Sequence, residues 1–294
     1  MTISPQNIAV LGIGLMGFPI GQRLCEAGHH ITVWNRSKAK AERLLPFGAK
    51  VANSPIEATA QASLVICLLE NGEVVEDVLF NQGAATAMRP GALVIDMSSI
   101  RPEQARAHAE RLLTLGVHHV DAPVSGGTVG AEAGRLAIMA GGDTEQVERA
   151  RPVLEALGRL THVGPSGAGQ LAKLANQMIV GITIGAVAEA LLLCEKGGAD
   201  MAKVREAIGG GFAESRILQL HGQRMVERDF TKRAAVSVQL KDMRNALATA
   251  QSMHFEAPIT GLFEQLFAQA ADHGFADLDH SALFLELARR NGMA

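Results

Sequence analysis

Residues Asn7 to Leu11 form a largely apolar block that runs directly into Gly12-Ile13-Gly14-Leu15-Met16-Gly17, and a helical pattern follows to Ala27, where Gly28 stops it. A GxGxxG string alone says little. Between a strand and a helix, each glycine acquires its own purpose, namely a tight turn, close approach of a pyrophosphate, and tight packing of helix on strand. The positive end of the helix then faces the phosphates. Gly12, Gly14, Leu15, Met16 and Gly17 are therefore the expected cofactor-binding positions, the alternative being glycines that serve only the turn.

A second strand, His30 to Trp34, ends at Asn35-Arg36-Ser37. This point, about twenty residues past the glycine turn, is where an adenosine ribose is read. An acid here accepts from a ribose 2′-hydroxyl and repels a 2′-phosphate. This chain instead has Asn35 followed by Arg36, Ser37, Lys38 and Lys40, donors suited to a phosphate. The expectation is NADP(H) in preference to NAD(H), with NAD(H) possible; the competing reading is that these cations only solvate the first turn of a surface helix.

The alternation continues with strands at Leu64 to Leu69, Leu93 to Asp96 and His119 to Asp121, and Leu136 to Ala140 and Leu160 to Val163 extend the set. Helical stretches separate them at about Val74 to Phe80, Pro102 to Leu115 and Thr144 to Leu157. Wholly apolar strands alternating with helices predict an α/β fold with a doubly wound parallel sheet over residues 1–163. Gly12, Asn35, Glu70, Ser99 and Ser125 each fall just after a strand, where open α/β sheets bind ligands. Leu69 and Glu70 are expected at the cofactor. In the Pro123-Val124-Ser125-Gly126-Gly127-Thr128 loop, the serine and glycine donors suit an anion such as a carboxylate, a plain turn being the alternative.

At Gly164-Pro165-Ser166-Gly167 the character of the chain changes, and residues 164–294 read as helical to the end. This cluster is the expected hinge between two domains, with Ser166 as N-cap of a helix running to about Lys196. Gly169, Lys173 and Asn176 fall at i, i+4 and i+7 of that helix, so a bare backbone patch, an ammonium and an amide share one face. A solvated lysine is the ordinary reading. The uncharged stretch from Met178 to Ala188 argues instead for a helix buried on most sides and a lysine with a function. Gly181 and Gly185 would admit another helix closely, from this chain or a second subunit. Further helices are expected at about Ala202 to Ile208, Leu218 to Glu227, Val236 to Phe255, Pro258 to His273 and Ser281 to Asn291. Lys241-Asp242 lies on the third of these.

A net charge of −3 without a basic run argues against nucleic acid and anionic membranes as partners and leaves small molecules as the default ligand. Cys25, Cys67 and Cys194 each lie in an apolar setting with no CxxC pair, which predicts reduced thiols, a cytoplasmic address and no metal site. Met1 to Gln6 is short and polar, so no leader is expected, and Met178 to Leu193, interrupted by Thr183 and Glu189, falls short of a membrane span.

Together these segments resemble the β-hydroxyacid dehydrogenase family, which includes 3-hydroxyisobutyrate dehydrogenases, tartronate semialdehyde reductases and glyoxylate/succinic semialdehyde reductases. The similarity spans essentially the whole chain. It is carried by the Gly12 to Gly17 turn, by Asp121-Ala122-Pro123-Val124-Ser125-Gly126-Gly127 with Gly130, Ala131 and Gly134, by Gly167-Ala168-Gly169-Gln170 through Lys173 and Asn176, and by Lys241-Asp242. The resemblance implies a Rossmann-type first domain and a helical second domain that supports homodimers or homotetramers. It also implies that Lys173 is catalytic, that Ser125, Gly126, Gly127 and Asn176 hold the substrate, and that Ser99 and Lys241 lie at the cofactor and the cleft. Trp34-Asn35-Arg36-Ser37 is similar to the NADP-preferring semialdehyde reductases. Arg23, Glu70, and the pair Ala234-Ala235 depart from the family pattern, and the two alanines would widen the substrate pocket.

The expected chemistry is hydride transfer between NADP(H) and a small carboxylate-bearing semialdehyde or β-hydroxy acid. Lys173 would be the general acid and base, with Asn176 beside it. Burial and a second ammonium, Lys241, would each lower the lysine pKa from its ordinary value of about 10.4. A 3-hydroxyisobutyrate dehydrogenase and an imine reductase-like enzyme are the alternatives, and Lys173 argues against the second.

Overall fold

The computed structural model describes residues 4–293, so the first residues of the polar amino-terminal segment lie outside the described residues. The chain divides into two units, one running through Lys173 and the other starting at Leu174.

In the first unit, strands β1 (Asn7–Leu11), β2 (His30–Trp34), β3 (Lys50–Val51), β4 (Leu64–Cys67), β5 (Leu93–Asp96), β6 (His118–Asp121), β7 (Val124–Ser125), β8 (Leu136–Gly141) and β9 (Gly158–Gly164) form one sheet. Helices α1 (Gly17–Glu26), α2 (Lys38–Glu42), α3 (Pro55–Thr59), α4 (Gly72–Glu76), α5 (Ala84–Ala87), α6 (Pro102–Thr114), α7 (Gly127–Glu132) and α8 (Thr144–Glu155) connect the strands. The order is β3-β2-β1-β4-β5-β6-β8-β7, with β9 against β8.

Both sheet faces are buried, as the unbroken apolar strands require. Ile8 and Val10 of β1 pack with Ile20 and Leu24 of α1 and Val147 and Leu154 of α8 on one face. Ala9 and Leu11 turn to the other, with Val75, Ala105 and Leu112. Fully buried residues such as Ile66 and Ile95 contribute about 1.5–3 kcal/mol each by leaving water.

The strands from β1 to β6 pair in parallel, as a doubly wound parallel sheet requires, while β8 runs antiparallel to both β6 and β7. The cause is the connection, because α7 is a six-residue helix, too short for the crossover that would return β8 in parallel. β9 is again parallel to β8, through α8. The strand expected to reach Leu69 ends at Cys67, and α4 is followed by a π-helical turn, Asp77–Asn81.

Helix α9 (Ala168–Lys196) carries the chain from one unit into the other. It is long and apolar enough, by length and composition, to cross a membrane, and 33% of its apolar window is buried within the protein. The expectation of burial on most sides is thus met only in part: Ile184, Ala188 and Leu191 are buried, while Ile179 and Leu193 are exposed.

The second unit packs α9 with α10 (Met201–Ile208), α11 (Arg216–Glu227), α12 (Val236–Ser252), α13 (Pro258–Ala270) and α14 (Leu283–Arg290) around Ile184, Met225, Met243, Phe267 and Phe284. Gly181 and Gly185 do admit close neighbours, and these come from this same chain. A β-carbon on Gly181 would collide with Met243 of α12, and one on Gly185 with the Phe263 ring of α13.

Candidate active site

At the end of β1 the glycines separate into two kinds. Gly12 adopts φ +102°, and a β-carbon there would run into the Leu68 carbonyl; one on Gly17 would fall inside the Gly12 carbonyl oxygen. These two residues let strand, turn and helix meet. Gly14 is different, since no atom lies within 4 Å of where its β-carbon would be. It faces open space at a helix end that has no side-chain cap and no acid in its first turn. Uncapped N–H groups, a bare backbone and no opposing charge fit a dinucleotide pyrophosphate. Leu15 is exposed and Met16 half-buried beside it.

Asn35, at the tip of β2, is a brace. Its Oδ1 accepts from the Ile13 N–H at 2.9 Å and its Nδ2 donates to the Ser37 carbonyl at 3.0 Å. Both ends of its amide are thereby committed to backbone. Lys38, one of the expected phosphate donors, is engaged as well, with Nζ 2.8 Å from Asn53 Oδ1. Arg36 and Ser37 are exposed, and the Ser37 hydroxyl makes no capping bond to α2.

The loops after β4 and β5 are tied by Ser98, whose hydroxyl accepts from the Leu69 N–H at 3.0 Å while its own N–H donates to Asp96 Oδ1 at 2.9 Å. Glu70 is exposed and Ser99 half-buried. Asp96 is fully buried, and its Oδ2 has no hydrogen-bond partner. Burial pushes its carboxyl up to about 7, with Asp121 adding to the rise and Ser98 opposing it.

Asp121 lies level with Asp96 on the neighbouring strand and is also fully buried. Its Oδ1 accepts from the Gly167 N–H at 2.8 Å and its Oδ2 from the Gln170 N–H at 2.9 Å, so this carboxylate caps α9. Ser166, the expected N-cap, does not: its hydroxyl is buried without a partner. The preceding glycine-rich bends bring the helix end within reach of a stronger acceptor from the sheet. Burial raises the Asp121 carboxyl to about 6, against the pull of the Gly167, Gln170 and Gly169 amides. Gln170, also fully buried, donates to the Ser98 carbonyl at 2.8 Å and accepts from the Ile100 N–H at 3.1 Å.

Two residues beyond Asp121, Pro123 leads into β7, where Ser125 pairs with Ala137 of β8. Gly126 and Gly127 follow with φ +136° and +64°, a bend that side chains rarely allow. Lys173 is half-buried and stands one turn into α9.

In the helical unit, Asn176 Nδ2 donates to Gln177 Oε1 at 2.8 Å, and Gln177 Nε2 donates to Asp242 Oδ2 at 2.6 Å. Lys241 Nζ lies 3.2 Å from the other oxygen of the buried Asp242. Asn176 and Lys241, far apart in sequence, thus belong to one polar network. Its link Gln177 carries no recognisable sequence signal, whereas Asp121, Gln170 and Asp242 stand in the segments that carry the family resemblance, without any sign there of their roles as cap and links. For Asp96 the one hint in sequence was an acid closing an otherwise apolar strand.

Residues 7–164 match the family described as the NAD binding domain of 6-phosphogluconate dehydrogenase, and residues 167–287 that described as the NAD-binding of NADP-dependent 3-hydroxyisobutyrate dehydrogenase. The 2-hydroxy-3-oxopropionate reductase of Escherichia coli K12 is 40% identical over 292 residues, covering 98% of this chain and 100% of that protein. The 3-hydroxyisobutyrate dehydrogenase of Pseudomonas aeruginosa is 37% identical, covering 94% of this chain and 95% of that one. The solved structure of Mycobacterium tuberculosis 3-hydroxyisobutyrate dehydrogenase with L-serine superposes with a TM-score of 0.88 at 34% identity, covering 96% of this chain and 99% of that one.

Proposed function

The chain belongs to the β-hydroxyacid dehydrogenase family, and on that footing we propose that it is an NADPH-dependent reductase of a small, carboxylate-bearing semialdehyde, with Lys173 as acid and base. At the level of the family it is a nicotinamide-dependent hydroxyacid dehydrogenase.

In this reading Gly12, Gly14, Leu15, Met16 and Gly17 hold the pyrophosphate, with Leu69, Glu70 and Ser99 along the rest of the nucleotide. Arg36 and Ser37, both exposed at the tip of β2, hold a 2′-phosphate, while Asn35 keeps their loop in register with the glycine turn. The bound nicotinamide supplies the hydride. Ser125 and the Gly126 and Gly127 amides bind the substrate carboxylate, with Asn176 and Lys241 as further polar contacts. Lys173 gives its proton to the aldehyde oxygen, and its charge stabilises the alkoxide that develops there; in the oxidative direction it takes that proton back.

The carrying observation is the placement of Lys173 one turn into a helix whose first turn is held by Asp121, the residue that opens the Ser125 loop. The E. coli relative directs the substrate proposal to 2-hydroxy-3-oxopropionate, the semialdehyde of tartronate. The P. aeruginosa relative supports a second reading, oxidation of 3-hydroxyisobutyrate. We also assign a cytoplasmic address, supported by three free cysteines, and assembly into dimers or tetramers, supported by exposed Ile179, Leu193, Ile259 and Leu262.

The test is a panel of tartronate semialdehyde, succinic semialdehyde, glyoxylate, methylmalonate semialdehyde and 3-hydroxyisobutyrate with each cofactor, read by nicotinamide absorbance. Lys173→Ala should lower turnover by about 10²–10⁴-fold while NADPH binding survives. Near-normal turnover in that variant would refute the role of the lysine.

A further inference from the structure

Resting on the reading of Lys173 as the acid, we propose that Asp121 is a positioning residue: its carboxylate grips the first turn of α9 and fixes Lys173 relative to the Ser125-Gly126-Gly127 turn.

The grip starts from a rigid base. Asp121 closes β6 inside the sheet, and the next residue, Ala122, donates its N–H to the Asp96 carbonyl at 2.7 Å. The first N–H groups of any helix lack partners within it. Here the Gly167 and Gln170 amides donate to the two oxygens of one buried carboxylate, and the Gly169 amide adds to them. The approach depends on two glycines. A β-carbon on Gly169 would press on Asp121 Oδ2 and the Met139 carbonyl, and one on Gly141 would stand 2.7 Å from Asp121 Oδ1.

Gln170 is the second fastening. Its side chain bridges the Ser98 carbonyl and the Ile100 N–H, the groups on either side of Ser99. Three residues later in the same helix comes Lys173. The lysine backbone is therefore held from the loop that carries Ser99 and from the strand that continues into the substrate turn. A misplacement of about 1 Å in a reacting group costs on the order of a hundredfold in rate, so a lysine on a long helix gains from a fixed origin. An amide at residue 121 has one acceptor oxygen for the same donors and presents its own N–H groups to the rest.

Asp121→Asn, made in the full chain, should lower kcat about ten- to hundredfold. The aldehyde KM and the NADPH dissociation constant should stay within about threefold of wild type, because this carboxylate is fully buried and both its oxygens are spent on backbone amides. Hydrogen exchange supplies a reading independent of activity: the Gly167, Gly169 and Gln170 amides should exchange faster in the variant while those of β1 and β4 stay protected. Wild-type kcat in folded Asp121→Asn, or unchanged exchange at those amides, overturns the proposal. If that variant does not fold, Gln170→Leu carries the same kinetic expectation, and an unchanged kcat there overturns it. Failure of the parent reading looks different, as wild type would then reduce no aldehyde of the panel, or Lys173→Ala would remain active.

Discussion

The Ile13 N–H donates to Asn35 Oδ1 across 2.9 Å, so the glycine turn and the tip of β2 are tied into one piece. The side chain at the position that elsewhere distinguishes the two cofactors is spent on holding that piece together. Any discrimination by a 2′-phosphate then falls to the exposed neighbours.

Arg36→Ala should weaken NADPH by at least about tenfold, the value of a charge-assisted hydrogen bond, and leave NADH within about twofold. Fluorescence titration of the two reduced nucleotides measures the difference. Equal losses for both would move the phosphate-reading role away from Arg36. Asn35→Asp is a less selective probe, because it removes the donor to the Ser37 carbonyl along with any effect on the ribose.

The glycines of the first turn should separate into folding and binding positions. Gly17→Ala forces a β-carbon into the Gly12 carbonyl and should cost roughly 3 kcal/mol or more, or prevent folding altogether. Gly14→Ala meets no neighbour and should melt like wild type while losing most of its dinucleotide affinity. Thermal melts with and without NADPH distinguish the two: wild-type melts for Gly17→Ala, or undiminished stabilisation of Gly14→Ala by NADPH, would contradict this division.

Asp96 makes a prediction about pH. Its carboxyl is raised from 3.8 to about 7 in the folded protein, so between those values the folded state holds the proton that the unfolded chain releases. Its contribution to stability is present at low pH and falls as pH rises through that window. Asp96→Asn removes the charge at constant size. Its stability relative to wild type should improve steadily from pH 5 to 7 and level off above, by roughly 1–4 kcal/mol. Buried His119, lowered to about 3, acts in the opposite sense, losing stability as pH falls below its ordinary value, and is common to both proteins. Denaturant titrations at each pH provide the check, and a difference that does not vary with pH would exclude the effect.

Much of the fold was legible because parallel strands buried on both faces leave continuous apolar runs, as in Leu64–Cys67, and because amphipathic helices repeat with their own period. The glycine turn was legible for the same reason, its order being local. What escaped depends on distant partners. β3 has two residues and no period to display. The reversal of β8 follows from the length of a connection, and the cap of α9 comes from a strand 46 positions earlier in the chain. Ser166 had the right chemistry at the right place in sequence, yet a carboxylate inside the sheet took the donors.

That cap bears on where this protein can be divided. A fragment ending with the last strand, at residue 164, would keep a carboxylate sealed in the sheet and lose the Gly167, Gly169 and Gln170 amides that solvate it. The first half of the chain is therefore self-sufficient only if it takes the opening turn of the next helix with it, and a recombination joint at the strand's end would separate a charge from its shelter.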